Sequence, residues 1–206
     1  MGIDGTTIIF LAVLIPSVIL HEISHGYMAN RLGDDTAKRA GRLTLNPIAH
    51  IDPIGTLVLP AVLVLAQSPF LFGYAKPVPV RVDRLRRPRL HALLVSLAGP
   101  ATNFLLASVA IGLFLVMVPA VDSWLWWTLL LATISNVALG FFNMLPIPPL
   151  DGSAVIEFLL PRSALRGWYR IRPYSMVLLL AFLLVGRDVL DPAYEWVVDL
   201  WVDVAR

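Results

Sequence analysis

Long apolar stretches alternate with short polar ones along the chain, and four of the apolar stretches approach or exceed the length of a membrane span. A helix needs about 20 apolar residues to cross the hydrocarbon core, and only the last stretch is short for this. The predicted spans are residues 6–32, 90–119, 124–142 and 174–185.

A shorter apolar stretch begins at Gly55, has about a dozen residues and contains Pro60, so it is too short for a span. With the residues up to position 74 it predicts a re-entrant or interfacial hairpin. Residues 43–46 predict a short strand before two turns, and the acidic tail at 187–206 predicts an amphipathic interfacial helix. The predicted fold is therefore an all-α polytopic membrane protein with about four transmembrane helices, a hairpin and a short β element.

Composition agrees with this fold class. The chain is 58% hydrophobic with a mean hydropathy of +0.77, whereas soluble domains are about 45–50% apolar. It has no cysteine, which excludes disulfides and thiolate metal sites and leaves histidine and carboxylate ligands. The net charge of +2 gives no reason to expect a nucleic-acid partner. The N-terminus lacks the basic region and cleavage site of a secretory signal peptide.

Basic residues are concentrated in three polar segments. Residues 31–42, 76–89 and 162–172 contain 14 of the 16 lysines and arginines, and such residues mark cytoplasmic loops. All three segments lie on one side only if the hairpin at 55–74 returns to the side that it left. We therefore expect the N-terminus, the loop at 119–124 and the acidic tail to lie outside.

Three ionisable residues interrupt the first predicted span, in the motif His-Glu-Ile-Ser-His at residues 21–25. Ionisable groups in hydrocarbon are costly and are functional by default. Residues i and i+4 share one helix face, so both imidazoles can bind one metal ion, with Glu22 beside it as a base. At 1.5 Å per residue, His25 and His21 lie roughly 9 and 15 Å inward from Arg31, nearer to the cytoplasmic side.

A catalytic zinc ion has three protein ligands and one open position, so two histidines are not enough. The sequence after His25 lacks the third histidine of the metzincin spacing. Asp151 is the best candidate, because it follows a span that returns to the cytoplasmic side, in a segment broken by Pro146, Pro148 and Pro149. Irregular backbone at membrane depth is tolerated where it is buried in protein or lines a water-filled cavity. The alternative is that Asp151 caps the helix that follows it.

These residues predict peptide hydrolysis with one Zn²⁺ ion as the cofactor. Binding to zinc lowers the pKa of water toward about 7. Glu22 would take the proton and pass it to the leaving amine, while the zinc and a nearby amide donor would stabilise the oxyanion. Water would reach the site from the cytoplasm.

The two motifs resemble those of the site-2 protease family of intramembrane zinc metalloproteases. That family pairs His-Glu-x-x-His on one transmembrane helix with an Asn-x-x-Pro-x-x-x-Leu-Asp-Gly-like motif on a later one, which here spans residues 143–152. The similarity extends from residue 6 to about residue 160. It implies that His21, His25 and Asp151 bind zinc and that the Glu of the first motif is the catalytic base.

Two further polar residues have more than one interpretation. The resemblance implies that Asn143 contacts the substrate or the oxyanion, but this residue could instead satisfy backbone groups that Pro146 leaves free. His50 could hydrogen-bond its own turn or line the entrance of the site. Residues 38–46 are the candidate strand edge on which an unwound substrate would pair.

The resemblance implies a single intramembrane metalloprotease domain over residues 1–206, with a catalytic core at 6–160 and a C-terminal span and amphipathic tail at 161–206. The chain is too short to add the PDZ or CBS domains of some relatives, which predicts a minimal core member. Its expected partners are transmembrane protein substrates and the bilayer of a prokaryotic plasma membrane, and self-association stays open.

Two other classes of function stay open. A zinc transporter would have metal ligands distributed through the spans, whereas here they are concentrated at one depth. A catalytically silent membrane binding protein would have no use for the intact Glu22.

Overall fold

Helices carry the regular structure of the computed structural model, which describes residues 4–65, 73–185 and 196. Single turns of 3₁₀ or π type lie at Pro47–His50, Pro53–Val58, Val82–Arg84 and Arg172–Tyr174. The α-helices are, in chain order, α1 (Gly5–Leu32), α2 (Thr36–Arg39), α3 (Leu59–Leu65), α4 (Pro88–Met117), α5 (Trp124–Asn143), α6 (Ser153–Leu159), α7 (Arg162–Ile171) and α8 (Ser175–Val185).

Helices α1, α4 and α5 pack against one another and are long and apolar enough to cross a membrane. Local signals in the sequence define their ends. The carboxylate of Asp4 accepts the Thr7 N–H at 2.7 Å and caps the start of α1. Gly33 ends α1 with φ 117°, a backbone conformation that glycine adopts without steric cost. Ser123 caps α5 through the N–H of Trp126.

The interface between α4 and α5 is apolar toward one end and polar near its middle. Two fully buried asparagines, Asn103 and Asn136, lie in the polar part. The apolar part is a cluster of Ala110, Phe114, Leu129 and Leu130.

The described residues contain three helices of spanning length, so the predicted count of about four is not confirmed. Helix α8 has 11 residues and coincides with the predicted span at 174–185. The tail at 187–206 lies outside the described residues except for Trp196. The first limb of the hairpin expected at 55–74 is helical, and the residues at 66–72 again lie outside the described part.

The predicted β element is not confirmed, because no strand occurs in the part of the chain that the structure describes. Residues 38–46 form the end of α2 and irregular backbone instead. The His50 imidazole contacts the Thr44 carbonyl through Nε2 at 2.9 Å and ties this backbone to the following turn. We expected a strand edge over these residues on which a substrate would pair. Residues 38–46 contain no such strand.

Extended backbone does lie close to this region, at residues 73–81, but it has no paired strand. Its N–H groups bond to other parts of the fold: Lys76 N–H donates to the His50 carbonyl at 2.9 Å, and Val78 N–H donates to a side chain of α1. The alternate residues Pro77 and Pro79 have no N–H to offer to another strand.

A buried carboxylate fixes this extended segment to the end of α1. Asp34 accepts hydrogen bonds from the Arg81 N–H at 2.6 Å and from the N–H and hydroxyl of Thr36 at 3.0 and 2.5 Å. Burial by itself raises the pKa of Asp34, but these hydrogen bonds outweigh it and hold the pKa below the usual range. The start of α4 joins the same end, because the Arg86 N–H donates to the Leu32 carbonyl at 3.1 Å.

Candidate metal centre

The three predicted metal ligands lie together between α1 and the segment that follows α5. Asp151 Oδ2 is 3.1 Å from His21 Nε2 and 3.3 Å from His25 Nε2. One ligand atom from each of the three residues lies within 4.8 Å of the other two. The helical spacing of four residues puts both imidazoles on one face of α1, and the fold brings to that face a carboxylate distant in sequence.

Hydrogen bonds behind the rings orient both imidazoles. His25 Nδ1 is 2.7 Å from the Val95 carbonyl, which can only accept, so Nδ1 carries a proton and Nε2 is the ring nitrogen that faces Asp151. His21 Nδ1 is 2.5 Å from Asn103 Oδ1. Partners of this kind typically orient metal-binding histidines.

A tight loop holds Asp151 in position. The Gly152 N–H donates to the Asn143 carbonyl at 2.6 Å and closes the proline-rich segment on the end of α5. A Cβ at position 152 would be 2.1 Å from the Met144 carbonyl oxygen, so this closure requires glycine. Helix α6 has no side-chain cap, and the Asp151 carboxylate contacts the histidines instead of capping that helix.

Gly99 of α4 lies directly against the two histidines, a role that sequence reasoning missed. A Cβ on Gly99 would lie 2.5 Å from Nε2 of both His21 and His25. In a membrane helix, a glycine followed by a proline usually indicates helix packing or a kink. A glycine before proline inside an apolar span was the available signal, but it did not identify which side chains approach it.

A cavity of about 840 Å³ opens beside the three clustered residues. Glu22 lines it, together with Asn143 and the extended segment from Tyr74 to Val80. Glu22 Oε2 accepts the Val78 N–H at 2.8 Å, so one oxygen of this carboxylate is held by backbone. The cavity is large enough to admit a peptide segment next to the carboxylates and imidazoles.

The structure bears on the predicted roles of Asn143 and His50. The Asn143 Nδ2 donates to the Leu139 carbonyl at 2.9 Å within its own helix, while the residue also lines the cavity. One of its two amide protons is thereby used, and the second is available to a ligand.

His50 is buried and bonds its own turn at Thr44. It is absent from the cavity lining, which favours the structural interpretation of this residue.

The residues present fit a zinc ion. Two imidazole nitrogens and one carboxylate oxygen form the three-ligand set of a catalytic zinc site, and the fourth position of such a site is open. Here the set borders a cavity. With Nδ1 of His25 protonated toward a carbonyl, its Nε2 has the lone pair that a metal requires.

The fold and this site define a helical membrane protein with a two-histidine, one-carboxylate centre. The family model of peptidase family M50 matches residues 9–123 and 116–186. The chain belongs to peptidase family M50, the site-2 proteases.

Individual relatives agree with this assignment. YwhC of Bacillus subtilis is 40% identical over 190 residues, covering 87% of this chain and 82% of that protein. Rip2 of Mycolicibacterium smegmatis is 31% identical over 153 residues, 74% of this chain and 58% of that protein. Rip2 of Mycobacterium tuberculosis is 29% identical over 180 residues, 87% of this chain and 68% of that protein. All three bear the name of a zinc metalloprotease, and no solved structure is significantly similar to the chain.

Family membership confirms the metalloprotease class and zinc as the cofactor that the sequence predicted. The three apolar helices agree with a multi-pass membrane protein. A membrane protease family also implies membrane protein substrates.

Proposed function

We propose that this protein is an intramembrane zinc metalloprotease that hydrolyses peptide bonds within or near the transmembrane segments of its substrates. The observation that carries the proposal is the cavity of about 840 Å³, which Glu22, His21, His25 and Asp151 line together. The two histidines belong to a helix of spanning length. A hydrolytic centre inside a spanning helix acts on substrates that are themselves in the membrane.

In this proposal His21, His25 and Asp151 hold the zinc ion through Nε2, Nε2 and a carboxylate oxygen. Their ligand atoms lie within 4.8 Å of one another, which supports a shared ion. Zinc in such a site supplies Lewis acidity, which makes water nucleophilic near neutral pH and polarises a carbonyl. Gly99 leaves the space that the two imidazoles need.

Glu22 acts as the general base in this mechanism. Its carboxylate takes the proton of the attacking water and delivers it to the leaving amine as the peptide bond breaks. The Val78 N–H at 2.8 Å holds one carboxylate oxygen and leaves the other for proton transfer. The unused amide proton of Asn143 is suited to the substrate carbonyl or the oxyanion.

The proposed topology follows the charge distribution. Most lysines and arginines lie in the segments at 31–42, 76–89 and 162–172, so that end of the bundle is cytoplasmic. The N-terminus and the loop before α5 are then outside, and water enters the site from the cytoplasm. We assign the whole chain to one metalloprotease domain in the cell membrane, with its catalytic core at residues 6–160.

The alternatives lack a supporting observation in the described residues. One cluster of three or more metal-binding side chains is found there, whereas a transport path requires ligands at several depths. A silent binding protein would not require Glu22 at the cavity next to that cluster.

The decisive experiment compares Glu22→Gln with wild type, using purified full-length protein in detergent and a synthetic single-span peptide. We expect wild type to cleave the peptide and Glu22→Gln to lose cleavage while it retains zinc. Glu157→Gln is the matched control, because Glu157 lines the same cavity and bonds Arg172 and Trp168 instead of the metal cluster. Equal cleavage by wild type and Glu22→Gln would exclude the proposed mechanism.

A further inference from the structure

A continuous line of hydrogen-bonded side chains leads away from Nδ1 of His21 and connects all three long helices. His21 Nδ1 is 2.5 Å from Asn103 Oδ1 on α4. Asn103 Nδ2 donates to Asn136 Oδ1 on α5 at 2.8 Å. Asn136 Nδ2 donates to Ser17 Oγ on α1 at 2.9 Å. Asn103, Asn136 and Ser17 are 0%, 2% and 4% exposed, so water does not compete for these bonds.

Backbone carbonyls at the far end fix the direction of every bond in this line. Asn136 also contacts the Ala132 carbonyl at 2.8 Å, and the Ser17 hydroxyl donates to the Val13 carbonyl at 2.8 Å. A carbonyl can only accept, so the amide NH₂ of Asn136 faces Ala132 and its Oδ1 faces Asn103. The reverse orientation of Asn136 would set two acceptors against each other.

The orientation of the Asn136 amide determines which nitrogen of His21 donates a hydrogen bond. Because Asn136 presents an oxygen, Asn103 has to donate with its NH₂ group and therefore presents Oδ1 to His21. His21 Nδ1 in turn has to donate, which leaves Nε2, 3.1 Å from Asp151, as the nitrogen that can bind a metal ion. A single bond to the Val95 carbonyl fixes the proton of His25 on Nδ1. For His21 the position of this proton depends on two asparagines in succession.

Packing alone does not require this arrangement. Helices α4 and α5 are apolar over most of their length, and a buried amide without partners is strongly unfavourable in such surroundings. An apolar side chain would fill the same interface without that cost. Interhelical hydrogen bonds do stabilise membrane bundles, but such a contribution is independent of which nitrogen of His21 carries the proton.

We propose that Asn103 and Asn136 are positioning residues that hold His21 in the tautomer with the proton on Nδ1 and thereby set the zinc affinity of the site. The part of this inference that concerns zinc rests on the proposed role of His21 as a ligand. Neither asparagine touches the substrate or the metal. Asn103 acts on His21 directly, and Asn136 acts by fixing the orientation of Asn103.

The first measurement is made on metal-free, full-length protein with ¹⁵N-labelled histidine, because imidazole ¹⁵N shifts distinguish the two tautomers. We expect Nδ1 of His21 to carry a proton in wild type, with or without a second proton on Nε2 toward Asp151. In Asn103→Leu and, less strongly, in Asn136→Leu, we expect Nδ1 to lose its proton, which leaves the Nε2–H form. Thr133→Val is the matched control, since Thr133 is equally buried on α5 but bonds only the Leu129 carbonyl.

The second measurement is zinc affinity by competition with a chelator. Partners that orient a metal-binding histidine typically contribute 10–100-fold to affinity, so we expect about that loss in Asn103→Leu, a smaller one in Asn136→Leu and none in Thr133→Val. If both leucine variants keep the Nδ1–H tautomer and wild-type affinity, the proposal is wrong. Should Asn103→Leu fail to fold, Asn136→Leu decides the question. Wild-type protein that binds no zinc would overturn the proposed function, while the metal-free measurement would still test the positioning role.

Discussion

The backbone of Gly99 faces the His21 imidazole so closely that a Cβ on Gly99 would lie 2.5 Å from Nε2. The same Cβ would be 2.5 Å from Nε2 of His25. The α1–α4 interface is therefore closely packed at the metal cluster, and α4 forms one wall of the centre.

Gly99→Ala is expected to displace both imidazoles and to weaken zinc binding. The loss should exceed the roughly 10–100-fold that removal of an orienting partner causes, because two ligands move. Zinc affinity in detergent is the measurement. Gly112→Ala on the same helix is the control, since its Cβ meets nothing within 4 Å, and it should keep wild-type affinity. Wild-type zinc affinity in Gly99→Ala would show that α1 and α4 can move apart without disturbing the two histidines.

Gly152→Ala tests whether the loop closure positions Asp151. The added Cβ would be 2.1 Å from the Met144 carbonyl oxygen, and backbone cannot move aside as cheaply as a flexible side chain. We expect Asp151 to leave the histidines, with loss of both zinc and peptide cleavage. Gly167→Ala provides the comparison, because a Cβ at position 167 has no neighbour within 4 Å. Full zinc occupancy in Gly152→Ala would disprove this role of the loop.

Asp34 should stabilise the fold in a pH-dependent manner. Its pKa is lowered in the folded protein by hydrogen bonds that outweigh burial, so its stabilising effect is complete above the pKa of the unfolded chain. The effect is lost as the pH falls through the lower, folded-state pKa. Asp34→Asn should cost about 1–3 kcal/mol near neutral pH, because an amide cannot accept all three bonds.

Thermal unfolding of Asp34→Asn and wild type in detergent measures this difference, which should shrink below about pH 4. Asp35→Asn is the neighbouring control. Its carboxylate pairs with Arg39 and Arg84 on the surface, where ion pairs contribute less than about 1 kcal/mol. A pH-independent difference for Asp34→Asn would contradict the assignment.

The proposed orientation can be tested with single cysteines, since the chain has none of its own. Val121 is exposed in the loop before α5, and Ser163 is exposed at the start of α7. We expect Val121→Cys to react with an impermeant maleimide in intact cells and Ser163→Cys to react only after the cells are opened. The reverse pattern would invert the topology and put water entry on the outer side.

Short-range signals predicted much of the fold and most of the site. The long apolar stretches gave α1, α4 and α5, and the helical spacing of His21 and His25 gave one shared face. Asp151 was chosen as a candidate ligand because prolines after a span imply irregular backbone near a cavity, and the structure brings its carboxylate to both histidines. The predicted strand at 43–46 is not confirmed: the neighbouring extended segment uses its N–H groups on His50 and Glu22. Hydrogen bonds between residues that are distant in sequence leave no local pattern by which they could be predicted.

The residues around the ligands were harder to predict for the same reason. Asn103 and Asn136 were visible as amides in apolar spans, but their common line to His21 depends on how α4 and α5 pack. Gly99 is similar, since its closeness to two imidazoles follows from the distance between α1 and α4. Sequence spacing describes one helix at a time, whereas these contacts depend on the distances between helices.

The hydrogen bond from Val78 to Glu22 does not depend on the side chain at position 78. Its donor is a main-chain N–H, so any residue except proline at position 78 supplies it. The side chain at this position borders the cavity but is buried against Gly26 of α1, so packing, and not the hydrogen bond, limits which residues fit there. The position of the Glu22 carboxylate therefore depends on the course of the main chain at residue 78 and not on the identity of its side chain.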